Sequence, residues 1–130
     1  MPILHTHGFI PREVDSDYER NVVLSEEDYH GLYRDAFHWA NVEQLHSLTQ
    51  TTCYFIGLSL RDPNLRRLLD ISFERGFGNA VHYAFLPRNE YKQPAKAETM
   101  FYKMGINIIW FENKDELPSI IDSLVNDTYK

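Results

Sequence analysis

The feature that most constrains the fold of this chain is an apolar run that leads through a short turn into a capped helix. Residues 53–56 are apolar and rich in β-formers without a helical period, which predicts a strand buried on both faces. Gly57 and Ser59 predict a turn directly after it. Asp62 and Pro63 then predict a helix start, because Asp62 can accept hydrogen bonds from first-turn amides and Pro63 has no amide donor to leave unpaired.

This order of strand, turn and helix places backbone amides and a hydroxyl at the carboxyl end of a parallel strand. Open α/β sheets bind their ligands at that end, and a helix amino terminus favours anionic ligands. One interpretation is therefore a ligand site at Gly57 and Ser59. The other is that these residues only turn the chain and Asp62 only caps the helix, since most strand-to-helix junctions bind nothing.

The rest of the pattern predicts strands that alternate with helices. A short strand ending at Gly8 precedes a polar loop, and two helices then lead to the central strand. Such alternation favours a parallel sheet covered on both faces, which is a three-layer α/β fold. Besides the helix that begins at Pro63, helices are predicted over residues 26–34, 38–48, 95–104 and 117–125, and strands over residues 81–86 and 106–110.

Two helices are predicted before the central strand. Ser25, followed by Glu-Glu-Asp, has the form of a capping box and marks the start of the first helix. Residues that recur at helical spacing are expected to face inward: Tyr29, Leu32 and Tyr33 in the first helix, and Trp39, Val42, Leu45, His46 and Leu48 in the second.

Length and charge restrict the classes of function. The 130 residues suffice for one domain, and we expect a single domain over residues 1–130. A net charge of −6 argues against a surface built to bind nucleic acid, although Arg61, Arg66 and Arg67 could form a local basic patch or the solvated face of a helix. The chain has neither an apolar run of membrane-spanning length nor a secretory signal, so we expect a cytoplasmic protein that does not bind membranes.

Histidine and cysteine offer few catalytic or metal-binding groups. The single cysteine, Cys53, excludes an internal disulfide and a Cys-based zinc site, and its place in the predicted strand favours a core thiol over a nucleophile. His7 suits a general base, because Gly8 beside it lets a ligand approach the backbone; a structural histidine is the alternative. His5 shares a strand face with His7, but no third ligand accompanies the pair, so no metal is expected.

Familiar catalytic and nucleotide-binding motifs do not account for the Ser59 turn. A hydrolase elbow needs Gly-x-Ser-x-Gly, and residue 61 is Arg instead of Gly. No glycine-rich phosphate loop or dinucleotide fingerprint occurs in the sequence either.

A set of motifs along the chain nevertheless resembles one family. They are His7-Gly8, Val-Val-Leu-Ser-Glu-Glu-Asp-Tyr at 22–29, the Gly-x-Ser-Leu-x-Asp-Pro-Asn-Leu run at 57–65, His-Tyr-Ala at 82–84, and Met-Gly-Ile-Asn-Ile-Ile-Trp at 104–110. Together they resemble the second half of the sirtuin-like domain found in many bacterial proteins. The run at 57–65 is the most specific part, and the resemblance covers essentially the whole chain.

The resemblance implies a Rossmann-like fold that acts on NAD. It implies that His7, next to Gly8, acts on the nicotinamide ribose, and that Gly57 and Ser59 line the adenosine side of the pocket. The segment after the next strand often contacts the adenine ribose in this family. Residues 88–89 match that segment only loosely, and we assign them no role.

Two departures from the family pattern refine this expectation. Between His7 and Cys53 there is no cysteine for the zinc ribbon of the deacetylases, so no zinc is expected. The chain thus resembles the NAD-hydrolysing sirtuin-like effectors of bacterial defence more than the lysine deacylases. The family's first glycine-rich βα unit and its Asn-containing strand are expected upstream of Met1, so the fold is expected to lack that unit.

The sequence therefore favours the C-terminal part of a sirtuin-like domain that, when complete, hydrolyses NAD to nicotinamide and ADP-ribose. The missing half would come from a longer parent or from a partner chain, and the isolated chain is expected to turn over poorly or not at all. The alternative is a non-enzymatic module that senses NAD or ADP-ribose or binds another protein. A sheet edge left exposed by the missing half would promote self-association.

Overall fold

Strands and helices alternate along most of the chain, as a computed structural model shows for residues 3–7, 22, 23, 25–76 and 81–128. Single-turn 3-10 helices lie at Arg88–Glu90 and Lys114–Glu116. The main elements, in order, are α1 (Glu26–Arg34), α2 (Trp39–Gln50), β1 (Tyr54–Phe55), α3 (Pro63–Arg75), β2 (His82–Pro87), α4 (Pro94–Tyr102), β3 (Ile106–Phe111) and α5 (Leu117–Thr128).

The chain divides into two compact units, Met1–His46 and Ser47–Lys130, with the boundary inside α2. The second unit holds all three strands that the structure describes. Along the whole described chain, the predicted helices and the two later strands are found with ends that differ from the prediction by at most three residues. Whether residues 1–130 act as a single domain stays a prediction.

A parallel sheet in the order β1-β2-β3 forms the centre of the second unit. Tyr54 pairs with Tyr83, and the longer ladder between β2 and β3 runs in register from His82–Ile106 to Pro87–Phe111. Each parallel connection passes through a helix, α3 for the first and α4 for the second. The alternating α/β pattern predicted from the sequence is confirmed.

The middle of β2 shows that the sheet has cover on both faces. Ala84, Phe85 and Leu86 are consecutive and all buried. Because successive side chains of a strand point to opposite faces, three buried neighbours require packing on each side of the sheet. The three-layer, Rossmann-like arrangement follows, with further core residues from the helices: Leu68 and Leu69 of α3, and Ala97 and Phe101 of α4.

The prediction that the central strand is buried on both faces is wrong. β1 has only two residues; Phe55 is buried, but Tyr54 is 51% exposed and Ile56 beyond it is also exposed. Among the described strands β1 pairs with β2 alone, so it lies at an edge of the sheet. One face of this edge strand therefore lacks the cover that a central strand would have.

Helix α1 begins where the capping box predicts. The Ser25 hydroxyl accepts a hydrogen bond from the Asp28 amide at 3.1 Å, and the Asp28 carboxylate accepts one from the Ser25 amide at 3.1 Å. This reciprocal pair satisfies two amides that the helix itself leaves unpaired. Tyr29 is half-buried, as expected, but Tyr33 is exposed, so its predicted inward role is wrong.

The inward face predicted for α2 is found only in part: Leu48 is buried as predicted, but His46 is exposed. Trp39 and Val42 are each about half exposed, whereas Ala40 and Asn41 are fully buried. Asn41 tolerates burial because its side-chain amide donates to the Asp35 carbonyl at 2.8 Å. A small residue and a polar one are thus buried with Leu48, while two of the large predicted side chains are about half exposed.

The predicted N-terminal strand is wrong over the residues that the structure describes there. Residues 3–7 form no strand; Ile3 and Leu4 are exposed, and His7 lies in a turn. The His7 carbonyl accepts a hydrogen bond from the Val23 amide at 3.0 Å. Gly8 and the predicted polar loop at 11–20 lie outside the described residues.

Candidate functional site

The turn that follows β1, residues 56–62, is the candidate site and is named the Gly57 turn below. Gly57 has a φ of +74°, a left-handed conformation that glycine adopts without steric cost. A Cβ built on Gly57 would meet no atom within 4 Å, so the backbone conformation, and not crowding, calls for glycine here. The same open space leaves room for a ligand against the backbone.

Leu60 is a second left-handed residue in this turn, with a φ of +54°. For a residue with a Cβ that conformation costs about 1–2 kcal/mol, so other contacts must hold it. The Leu60 side chain is only 2% exposed, and its carbonyl accepts a hydrogen bond from Arg66 Nε at 2.7 Å. Leucine has no preference for this conformation, so nothing in the sequence signalled it.

Ser59 lies between these two left-handed residues and is exposed. Neither its hydroxyl nor the backbone amides of residues 57–59 make a hydrogen bond to any residue that the structure describes. The turn thus presents several hydrogen-bond donors to solvent at the carboxyl end of β1. Gly57 and Ser59, predicted together, share this surface.

The start of α3 confirms the predicted cap but not the predicted preference for an anion. Asp62 Oδ1 accepts hydrogen bonds from the Asn64 amide at 2.7 Å and from the Leu65 amide at 3.3 Å. Pro63 has no amide hydrogen to offer. The donors that could bind an anion at this helix end are therefore already paired with a carboxylate, whose negative charge repels a phosphate.

The predicted solvated arginine face is wrong for two of its three members. Arg66 and Arg67 are half-buried and reach back toward the turn, and only Arg61 is exposed. Arg67 Nη2 donates to Asn64 Oδ1 at 2.8 Å, next to the Arg66 contact with Leu60. Arg66 thus ties the first turn of α3 to the Gly57 turn, whereas the Arg67 contact lies within α3.

The residues that follow β2 and β3 place charged side chains at the carboxyl-terminal ends of these strands. Arg88 Nε lies 3.8 Å from Glu112 Oε1, and both side chains are more than half exposed. An ion pair this exposed contributes little to stability. Asn89 is also exposed, and neither it nor Arg88 gains an assigned role from the structure.

His7 and the Gly57 turn belong to different units of the chain. His7 is exposed, and it does not end a strand, so the geometry from which the sequence suggested a base is not observed. Gly8 cannot be assessed, because the structure does not describe it. The roles of His7, Gly8, Gly57 and Ser59 stay predictions.

A cleft of about 580 Å³ opens at the amino-terminal ends of the strands, whereas the Gly57 turn follows the carboxyl end of β1. His82 lines the cleft and is buried; its Nδ1 accepts a hydrogen bond from the Cys53 amide at 3.2 Å, and its other nitrogen donates to the Leu48 carbonyl. Burial lowers the pKa of His82, with the Leu48 bond opposing the shift. Both ring nitrogens serve the fold, so His82 is a structural histidine.

Cys53, in the segment that leads into β1, is a half-buried thiol. Burial raises its pKa, and the Thr51 hydroxyl, 3.8 Å from the sulfur, opposes that shift. A thiol with a raised pKa is a poor nucleophile at neutral pH. The predicted core thiol is found only in part, because Cys53 is half-buried and does not lie in the fully buried core.

The described part of the chain shows neither a metal-binding group nor a membrane-spanning helix. No group of three or more His, Cys, Asp or Glu residues there could hold a metal ion. None of the helices described is both long and apolar enough to cross a membrane.

Comparison with protein families places this geometry in a known context. A family profile described as "SIR2-like domain" matches residues 1–109, a range that includes the Gly57 turn and all of β2. No curated protein and no solved structure matches the chain significantly. The matched range covers most of the chain and agrees with the parallel α/β sheet, so the chain belongs to the SIR2-like domain family, whose domains bind NAD.

Proposed function

We propose that this chain supplies the adenosine side of an NAD site in a sirtuin-like domain that, when complete, hydrolyses NAD to nicotinamide and ADP-ribose. The observation that carries the proposal is the exposed Ser59 in the Gly57 turn, at the carboxyl end of a parallel strand in a SIR2-like chain. Defence of a bacterium against phage is the biological setting we propose for this reaction.

The chemistry of the turn favours the nucleoside end of NAD. Ser59 and the amides of residues 57–59 offer donors for the ribose oxygens and the ring nitrogens of adenine. The Asp62 carboxylate, which already caps α3, disfavours a phosphate at this point. Open space in front of Gly57 gives the nucleoside access to the backbone.

The proposed reaction breaks the bond between the nicotinamide nitrogen and C1′ of its ribose. Water adds to C1′ as neutral nicotinamide leaves, and the proton released from water passes to His7 or to solvent. His7 would deprotonate or orient the ribose hydroxyl or the water, and Gly8 would let the ribose come close to the backbone. Another segment or a partner chain would complete the pocket, and this chain alone would turn over poorly or not at all.

Binding by the turn can be tested with one pair of variants. Ser59→Ala removes the proposed donor, and Ser123→Ala removes an exposed hydroxyl on α5 that bonds only to its own helix, to the Ser119 carbonyl. Isothermal titration with NAD should give weaker affinity for Ser59→Ala, by about three- to tenfold for one lost hydrogen bond, and no change for Ser123→Ala. Equal affinities in both variants would exclude Ser59 from the site.

Catalysis needs a separate test. We expect the chain alone to release little nicotinamide from NAD, and the complete domain to lose its activity on His7→Ala. His30→Ala, which changes an exposed histidine of α1, should leave that activity unchanged. Robust nicotinamide release by the chain alone that survives His7→Ala would overturn both the role of His7 and the need for the missing part.

One observation favours the second candidate function, a non-enzymatic binding module. Tyr54, Ile56 and Leu58 are each about half exposed and alternate along β1 and the turn, and Tyr54 stacks on Tyr83 with 5.5 Å between ring centroids. An apolar stripe at a sheet edge suits contact with another protein or with a second copy of the chain. ADP-ribose binding without nicotinamide release from the complete domain would favour this function, and light scattering that shows a clean monomer would exclude self-association.

A further inference from the structure

We infer that Arg66 is a positioning residue for the Gly57 turn: its guanidinium holds Leu60 in the left-handed conformation and so fixes the direction in which Ser59 faces the ligand. The inference rests on the proposed function, because it concerns the same NAD site. It adds a residue on the helix behind the turn to the two, Gly57 and Ser59, that the turn itself provides.

The turn contains two left-handed residues that are stabilised in different ways. Gly57 adopts a positive φ without steric cost because it has no Cβ, whereas the Cβ of Leu60 makes the same conformation unfavourable. Leu60 therefore needs support from its surroundings. Two contacts provide it: burial of the Leu60 side chain, which is 2% exposed, and the hydrogen bond from Arg66 Nε to the Leu60 carbonyl.

The hydrogen bond from Arg66 acts on the backbone at the point where the turn enters α3. At 2.7 Å and with a charged donor, it belongs to the strong class of protein hydrogen bonds. It fixes the peptide group that follows Leu60, while the Asp62 cap fixes the next stretch of backbone. Leu58 and Ser59 are exposed and make no hydrogen bond to other described residues, so their orientation depends on the backbone on either side: the β1 pairing that ends at Phe55, and the peptide group after Leu60 that Arg66 holds.

Arg66 differs in this respect from the other arginine contact in the same helix turn. Arg67 bonds to Asn64, within α3 itself, and so supports the helix. Arg66 bonds across from the helix to the turn, and its side chain is half-buried instead of extended into solvent. Because the one described hydrogen bond of its side chain goes to the Leu60 carbonyl, we assign Arg66 to the support of the turn.

The test compares Arg66→Met with Arg75→Met in the full chain. Methionine keeps an unbranched side chain and a high helix propensity but has no donor. Arg75 lies in the last turn of the same helix, at the far end from the Gly57 turn, and its loss removes the same charge. Two quantities are measured: the affinity for NAD, and the NOE between the amide and α protons of Leu60, which is strong only at positive φ.

We expect Arg66→Met to weaken the Leu60 NOE and to lower the affinity for NAD about tenfold, because loss of a charge-assisted hydrogen bond that favours the binding conformation lowers the fraction of the chain in that conformation by about this factor. Arg75→Met should change neither quantity. Arg66→Lys, which keeps a charged donor, should recover part of both, and it tests the same contact if Arg66→Met does not fold.

Three results would decide against parts of this account. An unchanged NOE in Arg66→Met would show that Leu60 does not depend on Arg66, and a lost NOE with unchanged affinity would show that the turn geometry does not matter for NAD; either overturns the inference. Failure of the wild-type chain to bind NAD would overturn the proposed function instead. The NOE, which needs no ligand, would then still decide whether Arg66 holds the turn.

Discussion

The imidazole of His82 accepts a hydrogen bond from the Cys53 amide, 3.2 Å from Nδ1, and so joins the start of β2 to the segment that enters β1. Acceptance at Nδ1 requires a ring that is unprotonated at that nitrogen, and the other nitrogen donates to the Leu48 carbonyl. The hydrogen bonds that His82 makes in the folded second unit therefore require its imidazole to be neutral.

The stability of the second unit should depend on pH through His82. Because burial lowers the pKa of the folded histidine below its ordinary 6.5, the unfolded state binds the proton more readily. The free energy of unfolding should therefore fall as the pH drops below about 6.5, and should level off above it. Urea unfolding between pH 5 and pH 8, a range chosen around that ordinary value, measures this slope. His82→Gln should reduce it and the exposed control His30→Gln should not; equal slopes in all three proteins would contradict the assignment.

Cys53 should show the opposite dependence at alkaline pH. Since burial raises the pKa of the folded thiol above 9.0, the unfolded thiol ionises first as the pH rises, and stability should fall above that pH. The same burial should slow the reaction of native Cys53 with a disulfide reagent at neutral pH relative to the chain in urea. Equal reaction rates in the native and unfolded chain would show that the thiol is accessible and reactive.

The cap at the start of α3 should be a measurable part of the stability. Asp62→Ala removes the acceptor of two amide hydrogen bonds and should lower the free energy of unfolding by about 1 kcal/mol. Asp70→Ala, at an exposed position inside the same helix, is the control and should change it by less than about 0.5 kcal/mol. Comparable losses in both variants would mean that the cap contributes nothing specific.

Two left-handed glycines should respond differently to a methyl group. Gly57→Ala meets open space and should cost only the backbone strain, about 1 kcal/mol. Gly105 has a φ of +80°, and a Cβ there would lie 3.1 Å from Phe73 Cδ2, so Gly105→Ala adds crowding to the same strain. Denaturant unfolding should rank Gly105→Ala as the more destabilised variant, and the reverse order would contradict the described packing.

The sequence predicted those features that depend on near neighbours along the chain. The capping box at Ser25 and the cap at Asp62 each follow from a few adjacent residues, and the structure has both. The family match also agrees with the resemblance seen in residues 57–65.

The features that the sequence did not predict depend on packing between distant residues or on sheet order. Tyr54 is exposed because β1 lies at an edge of the described sheet, and strand order is not visible in the apolar pattern. Leu60 is left-handed because of its burial and its contact with Arg66, which no propensity of leucine indicates. Asn41 is buried because a carbonyl six residues earlier accepts from it, a contact that hydrophobic periodicity ignores.

The measurement that most directly tests the central claim is a titration of the isotopically labelled chain with NAD, followed through its backbone amide shifts. We expect shifts confined to residues 57–64 and to the surroundings of His7, with the remaining signals unchanged. A dispersed spectrum of a folded protein that shows no shift at saturating NAD would contradict the claim that the Gly57 turn of this chain binds the adenosine side of NAD.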